Sequence, residues 1–296
     1  MKYFFIILMF IIVSYGSLTG AENKNELILK QKKFVRELFF EKRYFDVIAE
    51  MNRLIALETG ADNRRDYAFF IGVNYFLGEQ YKSAVTFLST RSDILEYRNR
   101  ILLSQTYLKL GMNAHGLETA LTIRYDAVNA SFRYPLLARK AEAYMECGLY
   151  RELLDEISYA EQFVPEREKL ALLREEVARY RSLPFKSVPL AVALSVFIPG
   201  AGQMYAGKYI LGIVSFLGVA AMAGGAYYFY RHKKTDLSYT FIFFSSVFYV
   251  GNIYGAYNAS QTMNENIDRS FRETVRKKCI PVYDPAGEVK NNRIFQ

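Results

Sequence analysis

The sequence predicts an all-α protein: a solenoid of helical hairpins followed by a C-terminal transmembrane helical hairpin. Two observations carry this. From about residue 30 to residue 181 apolar residues recur at helical rather than strand spacing, and proline is nearly absent before Pro165. The last third then holds uncharged apolar stretches long enough to cross a bilayer. On this reading the 296 residues divide into a leader (1–21), a helical repeat domain (22–184), a membrane domain (185–262) and a basic amphipathic tail (263–296).

The leader begins "MKYFFIILMFIIV", one lysine ahead of an apolar run too short to span a bilayer, and small residues follow in "SYGSLTGA". That order is a secretory signal peptide, with cleavage expected near Gly20 or Ala21, or a short N-terminal anchor. Either sends the following chain across a membrane.

The net charge of +8 does not point to nucleic acid, because of where it sits. Residues 21–186 hold 26 Lys plus Arg against 24 Asp plus Glu, leaving 12 against 6 elsewhere, mostly beside apolar segments. Anionic lipid headgroups are the simpler partner for that excess. His115 and His232 stand far apart with no ligand-spaced Cys or carboxylate nearby, so neither a metal site nor a cofactor is expected. Cys147 and Cys279 are too few for a disulfide framework.

Within the repeat domain one hairpin recurs. "GVNYFLGEQYKSAVTFL" carries Gly72, Tyr75, Gly78, Tyr81 and Ala84; "LSQTYLKLGMNAHGLETAL" carries Tyr107, Gly111 and Ala120; "AEAYMECGLYRELLDEI" carries Ala141, Tyr144, Gly148 and Leu153. The tyrosines lie 32 and then 37 residues apart, and Phe39 with Tyr44 marks an earlier copy. A small residue lets paired helices approach, the aromatic fills the gap between neighbours, and glycine supplies positive φ at the turn. The pattern resembles the tetratricopeptide-type repeat family over roughly residues 30–181. It departs from the family in its drifting repeat length, in having no Trp, and in Gly116 and Leu153 at the small position of the second helix. The resemblance implies a surface that holds a protein partner. First-helix residues Arg98, Arg100, Gln105 and Arg139 are the expected contacts. Residues 166–186, with Leu170, Leu173, Val177 and Tyr180 on one side, form a capping helix or stalk, and Leu183-Pro184 ends the module.

The membrane domain opens with a short apolar helix at 187–198, re-entrant or interfacial because it is too short to span. Spans are expected at 209–230 and 237–257, separated by the basic turn Arg231 to Lys234. Between the short helix and the first span lies "GQMYAGKY", which satisfies G-x-x-x-x-G-K with Gly202, Gly207 and Lys208. A phosphate-binding loop needs Ser or Thr next, a strand before and a soluble helix after; here Tyr209 follows and an apolar helix begins. The stretch instead resembles a bacterial membrane-hairpin family akin to the two-transmembrane-helix domain family, marked by P-G-x-G-Q-x-Y-x-G. Pro199, Gly200, Gly202, Gln203, Tyr205 and Gly207 carry the match. That resemblance implies membrane association and no catalysis. Pro199 ends the short helix, the glycines permit a tight turn, and Gln203 satisfies backbone groups near lipid. Gly251, Gly255 and Ala259 form a small-residue ridge for helix packing, with Gly218, Gly224 and Gly225 as its groove. Asn252 and Asn258 offer hydrogen bonds across that contact. The ridge closes the hairpin on itself or joins two copies. In the tail, Met263, Ile267, Phe271 and Val275 make an apolar stripe opposite Arg269, Arg272, Arg276, Lys277 and Lys278, the pattern of a membrane-surface helix, with a partner-binding helix as the alternative.

The expectation is therefore a non-enzymatic scaffold of the bacterial inner membrane, its repeat domain on the periplasmic side holding a protein partner. The alternative is an oligomerising hairpin that acts as a channel or transport component.

Overall fold

The structure, a computed structural model, describes residues 24–57, 61–90 and 97–290, so the leader expectation lies outside the described residues. Among those residues all regular structure is helical and none is strand. The chain forms two compact units, one from residues up to Arg174 together with Cys279 onward, the other from Glu175–Lys278. The expected boundaries at 184/185 and 262/263 both fall inside the second unit.

The first unit contains α1 (24–40), α2 (Tyr44–Leu57), α3 (Ala61–Leu77), α4 (Tyr81–Ser89), α5 (Tyr97–Lys109), α6 (Asn113–Leu121), α7 (Ala130–Glu146) and α8 (Tyr150–Ala160). From α2 onward each of these helices packs on the next, and α5 also touches both α3 and α7. Its core joins Val35, Leu38, Val47, Met51, Leu54, Phe70 and Ile71, each removed from water. Burial of each such side chain contributes about 1.5–3 kcal/mol. Helix α8 shows why the segments are helical: Tyr150, Leu153, Ile157 and Ala160, three or four residues apart, form its buried side.

One turn is used repeatedly. Among the described residues Lys42, Glu79, Gly111, Gly148, Gly207 and Lys233 each end a helix at φ between 58° and 77°. The next N–H then reaches back five residues: Arg43 to Leu38, Gln80 to Tyr75, Met112 to Tyr107, Leu149 to Tyr144, Lys208 to Gln203 and Lys234 to Phe229, all at 2.8–3.0 Å. This is the Schellman closure, which satisfies carbonyls a helix end would otherwise leave open. It corrects one expectation. In the Tyr75 copy the positive φ falls on Glu79, four residues after the tyrosine as Gly111 follows Tyr107, while Gly78 sits one residue earlier, directly after the last residue of α3 and without positive φ. Gly116 serves close approach instead, since a Cβ there would lie 2.7 Å from Leu108 Cδ2.

Helix α9 (Arg167–Ala178) carries the chain into the second unit, which continues with a 3₁₀ turn (Arg179–Ser182), α10 (Val188–Phe197), α11 (Ala201–Tyr205), α12 (Tyr209–Arg231) and α13 (Thr235–Cys279). The Ser187 hydroxyl caps α10 by accepting from Leu190 N–H at 3.4 Å. Among the described residues α12 is the one helix long and apolar enough to cross a membrane by length and composition. Helix α13 runs 45 residues without a break, so no boundary separates the expected second span from the expected tail. Its stripe is not a membrane-surface face. Phe271 and Val275 are buried, and the Phe271 ring stands 5.2 Å from Tyr180. Glu176 pairs with Lys278 at 2.5 Å, and Asn264 exchanges hydrogen bonds of 2.7 and 2.9 Å with the Lys186 backbone. Residues 176–186 thus strap along the second half of α13. Within the first unit, α14 (Pro285–Lys290) returns to α3.

Candidate functional site

The motif residues assemble a buried, uncharged network. Gln203 on α11 is its hub: its carbonyl accepts from Ser195 Oγ at 3.0 Å, and its amide donates to Asn252 O at 2.9 Å, Asn252 Oδ1 at 3.2 Å and Ser215 Oγ at 3.3 Å. Asn252 on α13 accepts from Gly200 N–H at 2.7 Å and donates to Ser195 O at 2.9 Å. The Ser195 hydroxyl also accepts from Gly202 N–H at 3.0 Å. Four helices are joined through side chains that are each at least 97% buried at Ser195, Gln203 and Asn252. Donors and acceptors match one another, as buried polar groups must.

The glycines make this approach sterically feasible. A Cβ on Gly200, whose φ is 88°, would lie 2.0 Å from Gly212 O; one on Gly202 would lie 2.0 Å from Ala191 O and 2.6 Å from Ala256 Cβ. Gly212 is similarly closed in by Met204 Cγ at 2.5 Å. Gly207 has open space around it and is needed for its φ of 77° alone. Pro199 stands between the end of α10 and the left-handed Gly200 that opens α11. Tyr205 takes the periphery, where its hydroxyl accepts from Ser187 N–H at 3.2 Å and Lys186 Nζ lies 5.0 Å from its ring.

This geometry also accounts for the near match to a phosphate loop. The amides such a loop aims at phosphate are turned inward: those of Gly200 and Gly202 go to Asn252 and Ser195, those of Gly207 and Lys208 to the Met204 and Gln203 carbonyls. Gly207-Lys208 is the same helix-ending turn found in the first unit, with Gln203 at the position that Leu38, Tyr75, Tyr107 and Tyr144 hold there.

Of the small-residue ridge, Gly255 faces the Gln203 amide, with Nε2 2.9 Å from a Cβ placed there, and Ala259 is buried. Gly251 is exposed with nothing within 4 Å. The face α13 turns to the network is Asn252, Gly255, Ala256 and Ala259. Of the glycines expected to face that ridge, Gly225 is closed in by Phe241, whose ring would stand 2.5 Å from a Cβ placed there, Gly218 would leave such a Cβ 3.5 Å from Phe248, and Gly224 stands open.

The expected partner contacts lie on first helices of the first unit, at different depths. Arg98 approaches Asp66 at 3.9 Å and the Phe69 ring at 5.7 Å, and Arg100 donates to Thr122 O at 3.2 Å. Gln105 is buried, and its Nε2 has no hydrogen-bond partner among the described residues. Arg139 is buried, pairs with Glu142 at 3.0 Å and donates to Pro281 O. Behind this face a second polar cluster is closed: Glu156 Oε1 accepts from Lys140 Nζ at 2.9 Å and Tyr125 hydroxyl at 2.8 Å. Burial, then the Glu156 charge, push the Tyr125 phenol far up.

Sequence reasoning missed Ser195. Its signal was present, a lone hydroxyl in the otherwise apolar α10 five residues before Gly200. Cys147 and Cys279 are not bridged. Among the described residues no group of three or more His, Cys, Asp or Glu is placed to hold a metal ion. Comparison of the chain with family models, curated proteins and solved structures finds no match.

Proposed function

We propose that this protein is a membrane-anchored scaffold of the bacterial cell envelope, in which a solenoid of helical hairpins holds a protein partner and a membrane hairpin anchors it. The observation that carries the reading is the contrast between the two units. The first unit gathers a buried apolar core and leaves scattered side chains such as Leu29 and Phe40 exposed, whereas α12 buries just Gly212 and Ala226 and leaves a continuous apolar surface, with Ile210 79% exposed and Val214 61% exposed, of the kind that lipid covers. The recurring turn at Lys42, Glu79, Gly111 and Gly148 supports the solenoid, since a solenoid stacks hairpins of one kind.

Membrane sidedness has its own support. The described residues up to Arg174 and from Cys279 onward belong to one unit, and on this reading share one side of a membrane. If α12 crosses, the first half of α13 must bring the chain back. The positive-inside rule, applied to the basic turn Arg231 to Lys234, then puts that turn in the cytosol and the first unit outside it, while Arg269, Arg272, Arg276, Lys277 and Lys278 late in α13 lie on the outer side against the same rule. The channel alternative calls for polar side chains along a helix face, and the buried ones of α10 to α13 are satisfied within the fold, Ser195, Gln203 and Asn252 by one another, Ser238 by the Ala226 carbonyl and Ser260 by the Ala256 carbonyl.

In-cell photocrosslinking from position 100 tests the scaffold reading. Recurrent capture of one foreign envelope protein supports it. Adducts only to further copies of this chain would move the assignment to an assembling membrane hairpin.

A further inference from the structure

The first-helix face of the first unit already holds an extended segment, and it belongs to this chain. Residues 280–284 have no regular structure and lead into α14. At their start the Tyr134 hydroxyl of α7 donates to Cys279 O at 2.6 Å, and Arg139 of the same helix donates to Pro281 O. Next the Tyr283 ring stands edge-on to Phe76 of α3 at 6.3 Å and 5.6 Å from the Arg139 guanidinium. Finally Val289 is 1% exposed within the core that includes Ile28 and Val35 of α1. Val282, between the two anchored points, is 93% exposed. The segment therefore runs from α7 past α3 to the α1 core. It is held by its backbone carbonyls, one aromatic ring and one aliphatic side chain, the way a domain holds a peptide.

We propose that residues 279–290 are a resident ligand of the first-helix face, and that the face exchanges them for a partner segment of the same chemistry. Such a segment presents two carbonyls to Tyr134 and Arg139, an aromatic side chain to Arg139 and Phe76, and an aliphatic residue to the α1–α3 core. The proposal rests on the scaffold reading and adds its regulation: the partner must displace the tail. A tethered ligand acts at an effective concentration in the millimolar range for a short linker, so the face is competent only in the fraction of molecules whose tail is released.

The test uses the full chain in detergent micelles and a fluorescent peptide of sequence CIPVYDPAGEVK, residues 279–290. Tyr283→Ala loosens the resident tail and should tighten peptide binding about tenfold or more. Tyr134→Phe, which deletes one donor and keeps the ring, should weaken the peptide several-fold in the Tyr283→Ala background, and Val282→Ala should change nothing. Equal peptide affinity in wild type and Tyr283→Ala, with unchanged melting, would overturn the proposal even if position 100 still captures a foreign protein. A peptide effect with only self-adducts at position 100 would sustain the exchange and remove the scaffold reading. A wild-type protein that sediments as a dimer and is converted to monomers by the peptide would overturn residence in cis, placing the tail on a second copy.

Discussion

At the scale of single residues, one amino acid serves two physical ends in this chain, and substitution separates them. Gly111 ends a helix at φ 73° with open space where a Cβ would go. Gly111→Ala is therefore expected to cost about 1–2 kcal/mol, the backbone strain alone, read as a lowered midpoint in urea. Glu79 has the same role without the freedom of glycine, so Glu79→Gly should stabilise by up to about 1 kcal/mol. Gly202 is different, since a Cβ would collide with the Ala191 carbonyl. Gly202→Ala should prevent α10 and α11 from closing, a larger loss. Gln203→Leu keeps the volume and leaves Ser195 and Asn252 short of partners, at about 1–3 kcal/mol for each buried group left unsatisfied. A destabilisation for Gln203→Leu no larger than that for Gly111→Ala would show that the network is not what holds these helices.

Between elements, the strap of residues 176–186 along α13 is partly electrostatic. The hydrogen bond and charge of Lys278, with Arg179 beside it, hold the Glu176 carboxyl below its ordinary value of 4.5. A carboxylate whose folded value is depressed favours the folded state above its unfolded value and loses that contribution as pH falls through the folded one. The protection of amides in residues 264–278, taken relative to the intrinsic exchange rate at each pH, should therefore fall below about pH 4.5, and Lys278→Met should shrink that fall, leaving the part due to Arg179. Protection that is flat across this range in the wild type would mean that Tyr180 and Phe271 packing carries the strap. The stripe Met263 to Val275 was legible as one apolar face, but sequence has no means to distinguish lipid from a neighbouring helix as what covers it. Only the fold, by returning 176–186 alongside, decides.

On the scale of the whole molecule, the tail and the first unit share one side of any membrane that α12 crosses. Cysteines introduced at Lys233 and Val282 should then react with an impermeant maleimide from opposite sides, the first from the cytosol. Reaction of both from one side would remove the crossing. Alkali tests the tail's anchor. Burial foremost, with Cys279 and Glu166 adding to it, pushes the Tyr134 phenol up to about 12, from an ordinary value of 10.0. A group with a raised folded value contributes fully below its unfolded value and loses that contribution as pH rises through the folded one. Tail release, followed by fluorescence of a dye at position 282, should accordingly appear between about pH 10 and 12 and move with Tyr134→Phe.

What the sequence by itself determined is local. Helical period, the tyrosine-to-turn spacing and the length of the apolar run in α12 all arise from neighbours within a few residues, where backbone geometry leaves few choices. The resemblance to repeats pointed to the face that Arg139 lies on, and Asn252 was legible as a polar group able to bridge helices. Tertiary structure alone decided what those groups meet. Gln203 finds Asn252 49 residues away, and Arg139 finds Pro281 142 residues away. Such pairings depend on which surfaces remain unsatisfied once every local helix has formed, a condition set by the packing of the chain as a whole and written in no short stretch of it.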